Sequence, residues 1–240
     1  PLGATFSAWN GICAQPDYVL LFDKEDPRYE GSFLVGPSID PATGKVLITA
    51  HDRPLIHTPE VTVIPGTERD GTIWGDVNQE DGARCNKWTF DKSLTNAMEN
   101  DFHIFRLADV YLMYAESVAR GGEGGSESQA VTYIQDLRKR AKTGYSQVDA
   151  AWLKASASIN GSTANVNFGN ILNERCRELY WEATRRTDLI RYGLFTSNTY
   201  TWAEKGGVIT GVGVDKRYNL FPIPVSDISV NGNLQQNEGY

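Results

Sequence analysis

The chain lacks any excess of basic residues: 23 Lys and Arg stand against 30 Asp and Glu, for a net charge of −7. Phosphate backbones are gripped by clustered Lys and Arg, so this balance argues against a nucleic-acid partner. No apolar run approaches the roughly 18 residues that a membrane helix needs. The three cysteines, Cys13, Cys85 and Cys176, are widely spaced and form no C-x-x-C, so neither a structural zinc site nor a thioredoxin-type motif is on offer. A Cys13–Cys85 disulfide stays open in an oxidising compartment, whereas Cys176 falls on the apolar face of a predicted helix and reads as a small buried hydrophobe. G-x-S-x-G, Walker A and H-E-x-x-H motifs are missing, and GVGVDK is not a dinucleotide loop. The sequence therefore implies no cofactor, no catalytic residue and no metal. It opens PLGATFSAWNG, without Met or a signal-peptide pattern, so a processed or excised chain is expected.

What is present reads as ordinary globular protein: 40% hydrophobic and 22% charged residues in 240. Residues 1–100 are crowded with Pro and Gly and also hold Trp9, Trp74 and Trp88, giving a loop-rich, ligand-facing segment. A short helix is expected over Asp17–Phe22, with short strands at Ser32–Val35 and Val61–Ile64. From Asp101 the pattern turns helical. Ile104, Ala108, Tyr111/Leu112, Ala115 and Ala119 recur at steps of three and four, and Gly121-Gly122 closes that stripe. Ser126 and Gln129 form a capping box ahead of a second stripe, Ala130, Ile134, Leu137 and Ala141. A shorter helix covers Asp149–Ser158, and Asn167 or Asn170 caps a long one from Ile171 to about Tyr192. A hairpin is predicted around GGVITGVGV.

The first two helices carry the spacing of a tetratricopeptide unit, with Ile104, Leu107-Ala108 and Tyr111 in helix one and Ala130 and Ile134 in helix two. The connection is about ten residues longer than that pattern expects. The fold class is accordingly mainly α: tetratricopeptide-like helix pairs, long irregular loops and a few short strands. Residues 101–240 form the helical portion, ending in an extended strap.

Three stretches in order, DPRYEGSF (26–33), FRLADVYLMYAES (105–117) and NERCRELYWEATRRTDLIRYGLF (173–195), with the closing FPIPVSDISVNGNLQQNEGY, resemble the SusD/RagB family of outer-membrane nutrient-binding lipoproteins. The resemblance runs from about Asp26 to Tyr240. It implies a surface-exposed, non-catalytic protein that captures an oligosaccharide or polysaccharide for a SusC-like TonB-dependent transporter. The alternatives are a peptide-binding member of the same family and a helical-repeat adaptor that grips another protein. Family members are about twice this length, so the resemblance also implies a missing N-terminal half, carrying the lipid anchor, as a partner.

The charged block 174–191 is read as an ion-pair lattice rather than as catalytic carboxylates, with Glu174–Arg177, Glu178–Arg175, Glu182–Arg185/Arg186 and Arg185–Asp188–Arg191 at pairing distance along a helix. Arg106 and Asp109 are read the same way. DVNQEDGA (76–83) departs from the EF-hand pattern at Asp81 and Lys87, so an acidic turn is favoured over an irregular calcium site. His51, His57 and His103 are taken as surface or core-edge residues. Sugar faces pack on flat rings while their hydroxyls ask for amides and carboxylates. Trp9 with Asn10, and Trp74 with Asp76, supply those types in loops and are the candidate ligand-binding residues. Trp9 is equally readable as a ring packed beneath the loops. Trp88 and Trp202 are expected in the core, and Trp181 in helix packing.

Overall fold

A computed structural model describes residues 12–49, 52–61, 80–88, 100–143, 147–159, 165–208 and 210–240. The chain starts with two short helices, α1 (Pro16–Val19) and α2 (Pro27–Ser32). Each begins on proline, whose missing N–H would find no intrahelical partner there anyway. Asp26 caps α2 by accepting the backbone N–H of Arg28 at 2.9 Å. Strands β1 (Phe33–Leu34), β2 (Gly36–Pro37), β3 (Ile56–His57) and β4 (Arg84–Cys85) follow. They pair antiparallel as β1–β4, with Phe33 opposite Cys85, and as β2–β3, with Gly36 opposite His57. Phe33, Phe22, Val19 and Tyr180 form a small core under this loop-rich half.

The main core lies between α3 (Leu107–Ala119), α4 (Glu127–Ala141), α5 (Ala150–Lys154) and α6 (Gly169–Glu178). Ala108, Leu112 and Ala115 of α3 meet Ala130, Ile134 and Leu137 of α4, the stripes that the spacing predicts. Small alanines at facing positions let two helices approach closely. Tyr111 of α3 stacks on Tyr133 of α4 with ring centroids 4.0 Å apart. Gly121 closes α3 with φ 87°, a conformation open to glycine at little cost. Ser126 caps α4 by accepting from Gln129 N, while its own N–H donates to the Tyr114 hydroxyl, so Tyr114 takes the place of the expected return bond from Gln129.

Several expectations are corrected. Helix α3 starts at Leu107, not near Asp101, because Arg106 is extended (φ −144°) and sends its guanidinium to Glu178 and Glu182. Ile104 is therefore 81% exposed instead of on the core stripe. Helix α5 ends at Lys154, and β5 (Ala157–Ser158) pairs with β6 (Asn165–Val166) where helix was expected. Neither Asn167 nor Asn170 caps α6; the N-cap is Phe168, with φ 58°. Gly169 follows it because a Cβ there would lie 2.6 Å from the Ala157 carbonyl oxygen.

The long helix is two: α6, and α7 (Arg185–Arg191). Between them Trp181 and Ala183 take positive φ, 62° and 59°. The carbonyls released at the end of α6 are satisfied by side chains: Lys87 Nζ donates to Glu178 O and Tyr180 O, and Arg106 donates to Glu178 O. Cations at a helix C-terminus also complement its dipole. A third core, Leu172, Leu189, Leu194 and Tyr200, packs below the break. Around 206–214 a Val212-to-Lys205 backbone bond and two tight turns, Gly207 to Glu204 and Gly211 to Val208, form without a strand pair, so the expected hairpin is absent among the described residues.

The closing segment is ordered but does not lie across the helical core. It folds onto itself around a short helix, α8 (Val225–Val230). Gln236 bonds both the N–H and the carbonyl of Ile223, Asn237 donates to Phe221 O, and the Tyr240 hydroxyl donates to Leu220 O. The amides bond to nearby backbone as their types predict. Phe221, expected to press on the helices, is instead 71% exposed, with Arg186 stacked on it. Cys176 is buried as expected; Cys13 and Cys85 are free thiols.

Candidate ligand-binding site

Two cavities flank the α6–α7 break. The first, about 450 Å³, is lined by Arg28, Lys87, His103, Arg106, Arg140 and Arg177 around Glu178 and Glu182. Its charges are committed to one another. Beneath it Glu174, 0% exposed, accepts from Arg28 at 2.9 Å, Arg138 at 3.0 Å and Arg177 at 2.8 Å. Glu178 takes Arg106 at 2.7 Å and Arg140 at 2.6 Å. Glu182 takes Lys87, Arg106 and His103. Burial alone would raise the Glu174 pKa, but Arg177, Arg28 and Arg138 outweigh it and hold the carboxyl well below its usual range. Glu182 behaves alike: burial raises it, and Arg106, Lys87 and His103 bring it down to about 2. Burial pushes Lys87 below the usual lysine value against the pull of Glu182.

The lattice reading is thus right in kind but wrong in partners. Glu174–Arg177 and Asp188–Arg191 form as local pairs. Arg175 leaves Glu178 for Asp188 at 2.9 Å and Asp109 at 2.9 Å, and Glu182 leaves Arg185 and Arg186 for residues 76 to 95 positions away. The break in the helix rotates those arginines off the carboxylate face. Arg106 and Asp109 belong to this network as expected.

The second cavity, about 620 Å³, is aromatic. Such a volume is in the range of small-molecule clefts. Tyr18, Trp88, Phe102, Tyr180 and Trp181 line it, with Gln15, Arg185 and Arg186 as polar members. The turn between α6 and α7 places Trp181 outward, 39% exposed. Sequence periodicity, which assumes a continuous helix, put this ring in packing. Trp88 is only partly buried; it lies 6.0 Å from Phe102 and 5.5 Å from His103. Trp202 packs on the third core as expected. Tyr18 donates to Cys176 O at 2.7 Å, and its ring sits 5.3 Å from Tyr180. Burial pushes both phenols upward, so they stay neutral. A third cavity, about 540 Å³, adjoins through Arg186 and is lined by Phe195, Tyr218 and Phe221.

Trp9, Asn10, Trp74 and Asp76 lie outside the described residues, as does His51. Glu80, in the acidic turn, is buried and held by Arg53 at 3.1 Å. His57 is buried, with Nδ1 against Glu80 O at 2.7 Å. Among the described residues no cluster of His, Cys, Asp and Glu is arranged to hold a metal. None of their helices is long and apolar enough to cross a membrane.

Comparison with known proteins gives this geometry a setting. Over 142 residues the chain is 39% identical to the starch-binding protein SusD of Bacteroides thetaiotaomicron, covering 59% of this chain and 22% of that one. A solved SusD-like protein from Bacteroides fragilis superposes with a TM-score of 0.60 at 18% identity, over 96% of this chain and 47% of its own. The surface glycan-binding protein A from Bacteroides uniformis gives 0.53 at 18% identity, over 92% and 39%. These likenesses establish the fold; the chain spans under half the length of each of these relatives. The SusD family model matches residues 6–240, nearly the whole chain, and the chain belongs to the SusD family.

Proposed function

We propose that the chain is the ligand-binding portion of a non-catalytic, lipid-anchored protein at the bacterial outer surface, which captures oligosaccharide for a TonB-dependent transporter. The aromatic cavity carries this reading. Flat rings at Tyr18, Trp88, Phe102 and Trp181 surround a space of about 620 Å³ edged by an amide and two guanidinium groups. Sugar C–H faces pack on such rings, and hydroxyls bond to the polar edge. The carboxylates on the other side of the break are locked in ion pairs, which leaves them poorly suited to acid–base work on a glycosidic bond. Starch binding by the SusD relative makes α-glucans the first ligands to try. Trp9, Asn10, Trp74 and Asp76 remain proposed contributors from the loop-rich half.

Isothermal titration against a broad panel of oligosaccharides, starting with maltoheptaose, tests the reading. Binding that weakens in both Trp181→Ala and Trp88→Ala supports it. No heat with any sugar while the chain remains folded would sink it. A second observation bears on partners: Ile104, Phe105, Leu107, Val110 and Met113 are exposed around the start of α3. Apolar patches of this kind mark protein contacts, and we assign this one to the rest of a longer SusD-type protein. Co-expression with an N-terminal segment of the length found in the relatives should protect these residues from hydrogen exchange.

A further inference from the structure

We infer that the sugar held in the aromatic cavity carries an anionic group, a carboxylate or sulfate, which docks on Arg185 and Arg186; this rests on the glycan-binding reading above. The argument starts from a contrast along one segment. Arg175, Arg177 and Arg191 of α6 and α7 each hold at least one carboxylate. Arg185 and Arg186 hold none among the described residues. Arg185 donates to the Leu172 carbonyl at 3.2 Å and the Tyr200 hydroxyl at 3.1 Å, and its guanidinium lies 5.9 Å from the Tyr18 ring centroid. Arg186 donates to Tyr218 O and stacks on Phe221 at 4.3 Å and Phe195 at 5.1 Å. A guanidinium has five N–H donors, so neutral partners leave most of each fork unused.

Both arginines line the aromatic cavity, and among the described residues no Asp or Glu lines it. Arg186 also lines the adjoining cavity, whose one carboxylate among the described residues, Asp215, accepts the Arg217 N–H at 2.9 Å. In a chain of net charge −7, two adjacent arginines that form no ion pair among the described residues are a local exception. Planar guanidinium forks match carboxylate and sulfate geometry, and they gain most where water is partly excluded. Rings flanking the forks would seat the sugar body while the charge reaches the arginines. Because Arg186 borders both cavities, the anionic residue sits at the junction of an elongated ligand.

Titration of the intact chain with tetragalacturonate, a sulfated chondroitin tetrasaccharide and maltoheptaose tests the inference. An acidic sugar should bind about tenfold more tightly than the neutral one, with the advantage shrinking as salt rises. Arg186→Met should abolish that preference and Arg186→Lys should keep part of it. Trp181→Ala should weaken all classes together while leaving their ratio. The carboxylated and sulfated arms tell which anion is meant. Binding of maltoheptaose as tight as that of the better-bound acidic sugar, or a preference that survives Arg186→Met in a folded chain, overturns the anionic assignment and leaves glycan binding standing. No binding of any of the three, neutral sugar included, takes both down.

Discussion

The two sides of the α6–α7 break use the same residue type to opposite ends. On one side Arg28, Arg106, Arg138 and Arg177 close on Glu174, Glu178 and Glu182, and the network ties α2, α4, α6 and the approach to α3 together. On the other, Arg185 and Arg186 rest on aromatic rings and carbonyls beside an open cavity. A buried carboxylate ringed by guanidinium groups is expensive to break but contributes little beyond what a well-packed apolar core would give. An arginine without a carboxylate contributes less to the fold and stays available to a ligand. On the proposed function, structure and recognition are separated by one turn of backbone.

The largest expected effect breaks the first side. Glu174→Gln strips the charge from a fully buried site and removes the carboxylate that Arg28, Arg138 and Arg177 share. Unfolding free energy should fall by about 3–5 kcal/mol in a denaturant titration, and a loss under about 1 kcal/mol would show the lattice to be incidental. Next comes Gly169→Ala, which drives a methyl into the Ala157 backbone; overpacking of this kind costs about 1–3 kcal/mol. A pH titration sharpens the comparison further. Glu182 has a folded pKa of about 2, lowered from 4.5, so its stabilising contribution is fully present above about pH 4.5 and is lost as pH falls toward 2. Glu182→Gln should flatten the stability profile in that window, and an unchanged slope would remove Glu182 from the account. Arg140→Ala, whose side chain is 61% exposed, should cost under about 1 kcal/mol. Smallest of all on stability is Arg186→Met, expected within about 0.5 kcal/mol of the parent, although it should alter sugar preference. A large loss of stability there would move Arg186 to the structural side.

Much of the helical part was legible because burial leaves a periodic trace. Leu112, Ala115, Ala130, Ile134 and Leu137 are core residues in both readings. The capping Ser126 and the terminating Gly121 were legible for the same local reasons. The split of the long helix was not. Nothing in RELYWEATRR interrupts a helical pattern, since there is no Pro or Gly, and the turn is set by Lys87 and Arg106 reaching in from distant segments. That one failure carried others: Trp181 was placed in packing, and Glu182 was paired with arginines that the turn carries away.

The candidate site was legible only as a type. Sequence reasoning asked for rings beside amides and chose Trp9, Asn10, Trp74 and Asp76, which lie outside the described residues, while Trp88 and Trp181 line the cavity that the structure shows. Tyr18, Phe102 and Tyr180 come from three separate parts of the chain. No local spacing could gather them. The closing segment repeats the point. Its prolines and amides specified an ordered, self-bonded path, yet they could not say whether Phe221 would meet the helices or open space.

By itself the sequence determined the helix pairs, their facing stripes, the ion-pairing character of the charged block and the family, because each of these is written in periodicity or in a contiguous motif. Tertiary structure decided which charges meet, where the long helix breaks, and which aromatic rings surround an open space. Those depend on contacts between residues up to 158 positions apart, for which the chain carries no local signal.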